Sequence, residues 1–286
     1  MYPVPESRRP GIRLVISDVD GTLVTAQKEL TERTRQAAHM LHENGIALAI
    51  TSGRPPCGMS MLIEPLRLTT PIGAFNGGMF VQPDLTVIEQ HVLPADVAGL
   101  VVKAIDARGL DAWAYQGCKW FVRRRHAPHV EREEWTVKFP PTVVPSLDAV
   151  LEGAAKIVGV SDDLEAVARC EADVRREFGD HVSASRSQPY YLDVTHPLAN
   201  KGTVVRYLSE TLNIPPGAIA AIGDSANDVL MFALSGLSIA MGNANPEVQR
   251  AARRVTTSNE EEGFANAVER FILGGRRPGF GAGLSP

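Results

Sequence analysis

The stretch Leu14–Thr25, LVISDVDGTLVT, decides the fold. An apolar run ends in two aspartates, Asp18 and Asp20, one residue apart, and Gly-Thr follows at once. Two carboxylates so close disfavour each other's ionisation. The arrangement adds nothing to stability unless a positive group sits among them, or the pair is split between protonation states for chemistry. Leu14 to Ser17 therefore reads as a short buried strand whose far end carries functional acids.

The same grammar recurs along the chain. After the first strand comes a helix with Thr31 as N-cap, Leu30 as hydrophobic staple and the Asn-Gly at 44–45 as stop signal. IALAIT (46–51) and PIGAF (71–75) read as further strands. Late in the chain, helix KGTVVRYLSETLN (201–213) precedes strand AIAAIG (218–223), and helix NDVLMFALSG (227–236) precedes strand LSIAMG (237–242). Helices NPEVQRAARR (245–254) and EEGFANAVERFIL (261–273) complete the pattern. Short all-apolar strands alternating with helices predict an α/β fold with a parallel sheet covered on both faces. In such sheets ligands bind where the strands end.

The middle differs. Between about 83 and 192 we read a strand (86–92), a helix (95–108), two strands (111–116 and 119–124) and the Pro-rich stretch KFPPTVVPSLD (138–148). A strand (155–160), a helix (163–178) and two more strands (181–185 and 189–194) follow. Two β-α-β-β units predict a separate α+β domain inserted into the first, with hinges near 80–84 and 193–198. The expected domains are thus 1–82 with 193–286, and 83–192 as a lid over the site.

Bulk properties bound the function. A chain of 286 residues with 44% hydrophobic and 22% charged residues is an ordinary globular composition. The net charge of −4 argues against nucleic acid as the main partner. No apolar run approaches membrane-spanning length, and the start, MYPVPESRRPG, has no apolar core of a signal peptide. Cys57, Cys118 and Cys170 are far apart with no metal-binding spacing, so a reduced, cytoplasmic setting is the default expectation. The closing GGRRPGFGAGLSP (274–286) reads as a disordered tail.

Four polar pieces stand at strand ends or helix starts: DVDGT (18–22), TSGR (51–54), NKG (200–202) and GDSANDVLM (223–231). Each alone has a bland explanation, such as a helix cap or a turn. Together they bring four carboxylates, a hydroxyl and an ammonium to one sheet edge. Hard oxygen ligands of this kind suit Mg²⁺ rather than zinc. Such an ion would offset the repulsion among Asp18, Asp20, Asp224 and Asp228.

With DVDGTL, SGRP, FNGG, NKG, GDSANDVLMF and AMGNANPEVQRAA…VTTSNEEEGF in place, the sequence closely resembles the haloacid dehalogenase (HAD) superfamily. Within it, the chain is similar to the Cof-type phosphohydrolases, whose Rossmann-like core carries an inserted C2B cap. The resemblance covers nearly the whole chain, with Pro197 and Ala199 before the lysine as a mild departure.

The resemblance implies that Asp18 is the nucleophile forming an aspartyl-phosphate and Asp20 the general acid and base, its backbone carbonyl also binding the metal. Ser52 with Gly53 would hold the phosphoryl oxygens, and Thr22 and the loop amides would cradle the same group. Lys201 would offset charge on Asp18 and the phosphoryl group. Asp224 and Asp228 would bind Mg²⁺, Asn227 would bind phosphate or nucleophile, and Asn76 and Gly77 would touch substrate. Arg54 is expected in a structural ion pair and Asn243 as a turn residue shaping the site.

The basic, aromatic stretch CKWFVRRRHAPH (118–129) reads either as a specificity loop or as a solvated strand edge. The implied activity is Mg²⁺-dependent hydrolysis of small phosphorylated metabolites, sugar phosphates or phosphorylated cofactors, without nucleic-acid or membrane partners. Alternatives are a phosphomutase of the phosphomannomutase type and a non-catalytic sugar-phosphate-binding regulator. Substrate identity and oligomeric state are not legible at this level.

Overall fold

The computed structural model describes residues 11–274; the expected tail at 274–286 lies almost wholly outside them. β1 (Leu14–Asp18) leads through α1 (Glu32–Glu43) to β2 (Ala47–Thr51). A 3-10 turn (Pro56–Met59) and α2 (Ser60–Ile63) then lead to β3 (Ile72–Ala74), β4 (Met79–Val81) and β5 (Val87–Gln90). An inserted unit follows, starting with α3 (Ala95–Ala107), β6 (Asp111–Gln116), β7 (Lys119–Val122) and α4 (Val130–Val137). It continues with β8 (Thr142–Val143), β9 (Lys156–Val160), α5 (Leu164–Phe178), β10 (Ser183–Gln188) and β11 (Tyr191–Thr195). The chain returns with α6 (Lys201–Thr211), β12 (Ile219–Gly223), α7 (Val229–Leu234) and β13 (Leu237–Ala240). It closes on α8 (Pro246–Ala251), β14 (Arg254–Val255), α9 (Gly263–Ala267) and a π-helical turn at Val268–Ile272.

The larger sheet has eight strands in the order β14-β13-β12-β1-β2-β3-β4-β5. Its first six pair in parallel, and β3, β4 and β5 close the edge as an antiparallel meander. The parallel strands can be apolar at every position because both faces are covered. Val15, Leu48, Ile50, Ala220 and Ile222 pack under α1 and α9, against Ala37, Ala38, Leu41 and Phe264. Leu14, Ile16, Ala49, Ile219 and Ala221 face α6 and α7 on the other side, against Val204, Val205, Leu208, Met231 and Phe232. Thr31 caps α1 by accepting a hydrogen bond from the Thr34 N–H, and Asn44 ends it, as the sequence predicts. The chain leaves β1 towards β2 on one flank and later places β12 on the other, so the end of β1 is the point where strand order reverses.

The inserted unit carries a six-stranded sheet, β10-β11-β9-β6-β7-β8, antiparallel except between β7 and β8. One face packs on α3 and α5 through Val101, Ile105, Val167, Cys170 and Val174. The other face, with Trp113, Tyr115, Trp120, Val158 and Tyr191, joins the apolar core of the larger unit. The inserted sheet thus lies over the strand ends.

Two expectations change. The strand expected at 86–92 as the start of the insertion is β5, and it pairs with β4 in the larger sheet. The stretch between β7 and the Pro-rich segment contains a helix, α4, that the sequence did not disclose. It has no side-chain N-cap, and it is entered from His129 in the left-handed region at φ 64°. No helix among the described residues is long and apolar enough to cross a membrane.

Candidate active site

A cleft of about 700 Å³ lies between the two units. Its floor is the carboxyl end of the parallel strands, where Asp18 ends β1, Ser52 follows β2 and Asp224 follows β12. Its roof comes from α4, β9, β10 and β11.

Lys201 is the charged hub of the floor. It is 1% exposed, and its Nζ lies 2.5 Å from Asp18 Oδ1 and 2.5 Å from Asp228 Oδ1. Asn200 caps α6 by accepting from the Thr203 N–H, which fixes Lys201 at the first helical position, pointing under β1. A cation there opposes the helix dipole, and the two carboxylates offset that conflict. Burial alone would lower the lysine pKa, but the charges of Asp18 and Asp228 overcome it and hold the ammonium well above its ordinary range.

Asp18 is buried, and its Oδ2 has no hydrogen-bond partner. Burial pushes its carboxyl well above the ordinary value; Lys201 opposes this, while Asp228 and Asp224 add to it. Asp228 is fully buried, and its Oδ2 accepts from the backbone N–H groups of Asp224 and Ser225 at 2.9 and 2.8 Å. Asp224 is pushed up to about 6 by burial first and by the charge of Asp228 next. One carboxylate oxygen each from Asp18, Asp224 and Asp228 falls within 4.8 Å of the others. Three acids clustered at that distance, one with an orphaned buried oxygen, form an oxygen-donor set that fits a hard divalent cation. Glycines allow the close approach. Gly21 has φ +79°, and a Cβ there would lie 2.3 Å from Asp224 Oδ2. A Cβ on Gly223 would lie 2.3 Å from Asp228 Cγ.

The Asp20 side chain turns away from that cluster. Arg54 grips it as a fork, Nε to Oδ2 and Nη2 to Oδ1 at 2.7 Å each, and Lys28 Nζ adds a contact of 2.6 Å. Burial would raise its pKa, but Arg54 and then Lys28 win and hold the carboxyl well below its usual range. Arg54 is therefore in an ion pair, as expected, but with a site residue. Arg54 Nη1 also donates to the Gly58 carbonyl at 2.9 Å. Ser52 Oγ accepts from the Arg54 N–H at 3.2 Å and lies 3.5 Å from Asp20 Oδ2.

Asn76 sits at the cleft in the left-handed region, between Phe75 and Gly77, which share it. Such a run of positive φ is costly for non-glycine residues. It is held by Phe75 and Asn76 N–H groups donating to the Arg54 and Ser52 carbonyls. Asn227 Nδ2 reaches Asn76 Oδ1 at 3.4 Å across the cleft floor. Asn243 donates to the Gly21 carbonyl at 3.0 Å and to Asp224 Oδ2 at 3.2 Å, tying two acid-bearing loops together.

Two expected residues stand elsewhere. Thr22 does not line the cleft, and its hydroxyl is buried without a partner. Gly77 is buried against Val204 and the Asn200 carbonyl, where a Cβ would lie 2.9 Å and 3.0 Å from them, and it does not line the cleft either. Its role is to let β3 turn close to α6.

None of residues 118–129 lines the cleft. Arg123 pairs with Asp106, Arg124 with Asp111, Arg125 with Glu134 and His129 with Asp162, while β7 is an inner strand whose Trp120, Phe121 and Val122 are buried, so the stretch is neither a specificity loop at the cleft nor a solvated strand edge. The roof is built instead from residues that sequence reasoning missed. Lys156 Nζ donates to the Gly53 carbonyl at 3.1 Å and lies 3.6 Å from Asp193 Oδ2. Tyr115 donates to Glu133 at 2.5 Å, and the carboxyl of Glu133 is raised by burial despite Lys156. Asp193 Oδ1 is buried without a partner on the cleft wall. Arg132 lies over the Tyr190 ring. The inward-facing polar residues on β9 and β11 left one signal, an acid or base interrupting an apolar strand.

A floor of clustered acids around one lysine at a sheet's switch point, beneath a polar roof, is the architecture of a phosphoryl-transfer hydrolase. The model of the haloacid dehalogenase-like hydrolase family matches residues 15–268, and the chain belongs to that family. A haloacid dehalogenase-like hydrolase from Bacteroides thetaiotaomicron superposes with a TM-score of 0.83 at 28% identity, covering 91% of this chain and 99% of its own. A 5-amino-6-(5-phospho-D-ribitylamino)uracil phosphatase of Bacillus subtilis is 27% identical over 91% of this chain and 97% of its own length. An HMP-PP phosphatase of Cronobacter sakazakii is 27% identical over 82% and 86%. The protein is a phosphatase.

Proposed function

We propose that the protein is a cytoplasmic, Mg²⁺-dependent phosphatase that hydrolyses small phosphorylated metabolites through an aspartyl-phosphate on Asp18. The observation that carries this reading is the Asp18 carboxylate, with one oxygen on Lys201 and the other buried and unpartnered at the acid cluster. Asp18, Asp224 and Asp228 would hold the ion, together with the backbone carbonyl of Asp20. Bound there, Mg²⁺ would neutralise charge among the acids and on the phosphoryl oxygens.

The chain's own residues do the rest. Asp18 attacks phosphorus, and the phosphorus–oxygen bond to the leaving group breaks. Lys201, charged at every physiological pH, offsets negative charge that builds on the transferring group. Ser52 Oγ and the Gly53 backbone present donors to the phosphoryl oxygens, and Asn227 with Asn76 borders the same space. Asp20 protonates the leaving oxygen and then takes a proton from the water that releases phosphate. Clamped by Arg54 and Lys28 it is an ionised base. Acting as acid requires it to leave that fork, so Arg54 sets which protonation state Asp20 presents.

The inserted unit, 95–195, is a cap whose underside meets the leaving group. Glu133, Lys156 and Asp193 offer both donors and acceptors there, which suits a small hydroxylated or amino-bearing group. Relatives named as a 5-amino-6-(5-phospho-D-ribitylamino)uracil phosphatase and an HMP-PP phosphatase support a small phosphorylated substrate. The test is Asp18→Asn assayed with Mg²⁺ against a panel of phosphorylated metabolites. Turnover should vanish while circular dichroism stays native; sustained Mg²⁺-dependent phosphate release by the variant would refute the reading.

A further inference from the structure

Cys57 and Cys118 are joined by a disulfide across 61 residues of chain, with Cα atoms 5.3 Å apart. The two come from different units. Cys57 sits in the 3-10 turn that follows Ser52-Gly53-Arg54 in the core, and Cys118 in the tight turn between β6 and β7 of the cap. The bridge is therefore a covalent tie across the cleft-bearing interface. It stands three residues from Arg54, whose guanidinium also holds the carbonyl of Gly58 in the same turn.

Every other contact at that place is non-covalent. A Cβ on Gly58 would lie 3.4 Å from Val137 Cβ of α4. Lys156 reaches the Gly53 carbonyl, and the Phe75 and Tyr115 rings meet edge to face with centroids 6.0 Å apart. Contacts of this kind separate and re-form as domains open and close; a disulfide does not. The third cysteine takes no part. Cys170 is buried under the far face of the cap sheet, and burial pushes its thiol up to about 11. Both bridging residues are half-exposed, so a thiolate can reach them. In a reducing compartment a protein disulfide is a switched bond rather than a permanent staple.

We infer that Cys57 and Cys118 are a redox modification site that fastens the cap over the active-site cleft when oxidised and releases it when reduced. The reductant is a dithiol. Its thiolate attacks one bridge sulfur to give a mixed disulfide, and its second thiol displaces the remaining protein thiol. The dithiol leaves as a disulfide, having supplied two electrons and two protons, and both cysteines end as thiols. The oxidised form slows the opening that admits substrate and frees product, which sets turnover in many lidded enzymes.

The test compares the full chain oxidised with oxidised glutathione against the same sample treated with dithiothreitol, alongside Cys118→Ser. Thiols are counted in denaturant, amide exchange is followed by mass spectrometry over 53–59 and 130–137, and turnover is measured with p-nitrophenyl phosphate and Mg²⁺. The expected result is one titratable thiol in the oxidised chain and three after reduction. Reduction should speed both interface exchange and turnover by roughly 5- to 150-fold, the usual span of a coupling between two sites. Cys118→Ser, which has two thiols, should match the reduced protein in exchange and turnover under both treatments. Three thiols in the oxidised sample overturn the inference. So does a bridge whose reduction leaves exchange unchanged, or one that survives a glutathione-buffered reducing poise. If neither form turns over substrate, the phosphatase reading fails, and amide exchange still decides the clamp.

Discussion

Lys201→Met removes the one cation shared by two buried carboxylates. In the native protein the ammonium, 1% exposed, touches Asp18 and Asp228 at 2.5 Å each. Methionine fills similar space but leaves both acids facing each other in a dry site. Removing one partner of a buried pair costs about 3–5 kcal/mol. That is a large part of the roughly 5–15 kcal/mol by which domains are stable. The pH dependence carries the sign. The native lysine has a raised pKa, so its contribution is fully present below the ordinary lysine range and constant across neutral pH. In the variant Asp18 loses the charge that lowered its pKa, and its folded value stands still further above the unfolded value of about 3.9. The folded variant therefore takes up protons as pH falls, and its deficit shrinks. Urea unfolding in the presence of a chelator, at about pH 8 and about pH 5, measures both quantities. A deficit below about 1 kcal/mol at the higher pH, or one equal at both, would mean that Lys201 does not offset the charge of the two buried acids.

Other consequences follow from the acid cluster. Asp224 at about 6 means that a cation must displace a proton in mildly acidic solution. Mg²⁺ affinity should weaken as pH falls through 6, and calorimetry in buffers of different ionisation enthalpy should detect more protons released at about pH 5.5 than at about pH 8. Gly21→Ala should both destabilise the protein and weaken Mg²⁺ binding, because φ is +79° and the new Cβ would sit 2.3 Å from Asp224 Oδ2. Gly45→Ala is the control. It has φ +71° with nothing within 4 Å, so it should cost about 1 kcal/mol of stability by strain and leave Mg²⁺ binding unchanged.

The floor of the site was legible because its residues interrupt the simplest pattern in the chain. Asp18, Ser52 and Asp224 each end an apolar strand, and Lys201 opens a helix against its own dipole. The roof was not, for physical reasons that differ by residue. Glu133 and Arg132 lie on α4, a helix entered from a left-handed His129 with no capping side chain. Lys156 and Asp193 read as ordinary strand polarity, and only tertiary packing turns them into the cleft. Strand 86–92 was visible as a strand, but its partner, β4, was not. Thr22 and Gly77 belong to the right motifs yet are buried away from the cleft, since a motif places a backbone and neighbouring packing decides which side chains face out. Cys57 and Cys118 left no local trace, because their meeting depends on how two units dock.

In the proposed reaction Asp18 takes the phosphoryl group. Rapid acid quench of the Mg²⁺-loaded enzyme during turnover, followed by borohydride reduction and peptide mapping, reads it directly. Homoserine is expected at position 18, and only there. Phosphate released with Asp18 recovered unmodified at every quench time, or reduction at another carboxylate, would contradict it.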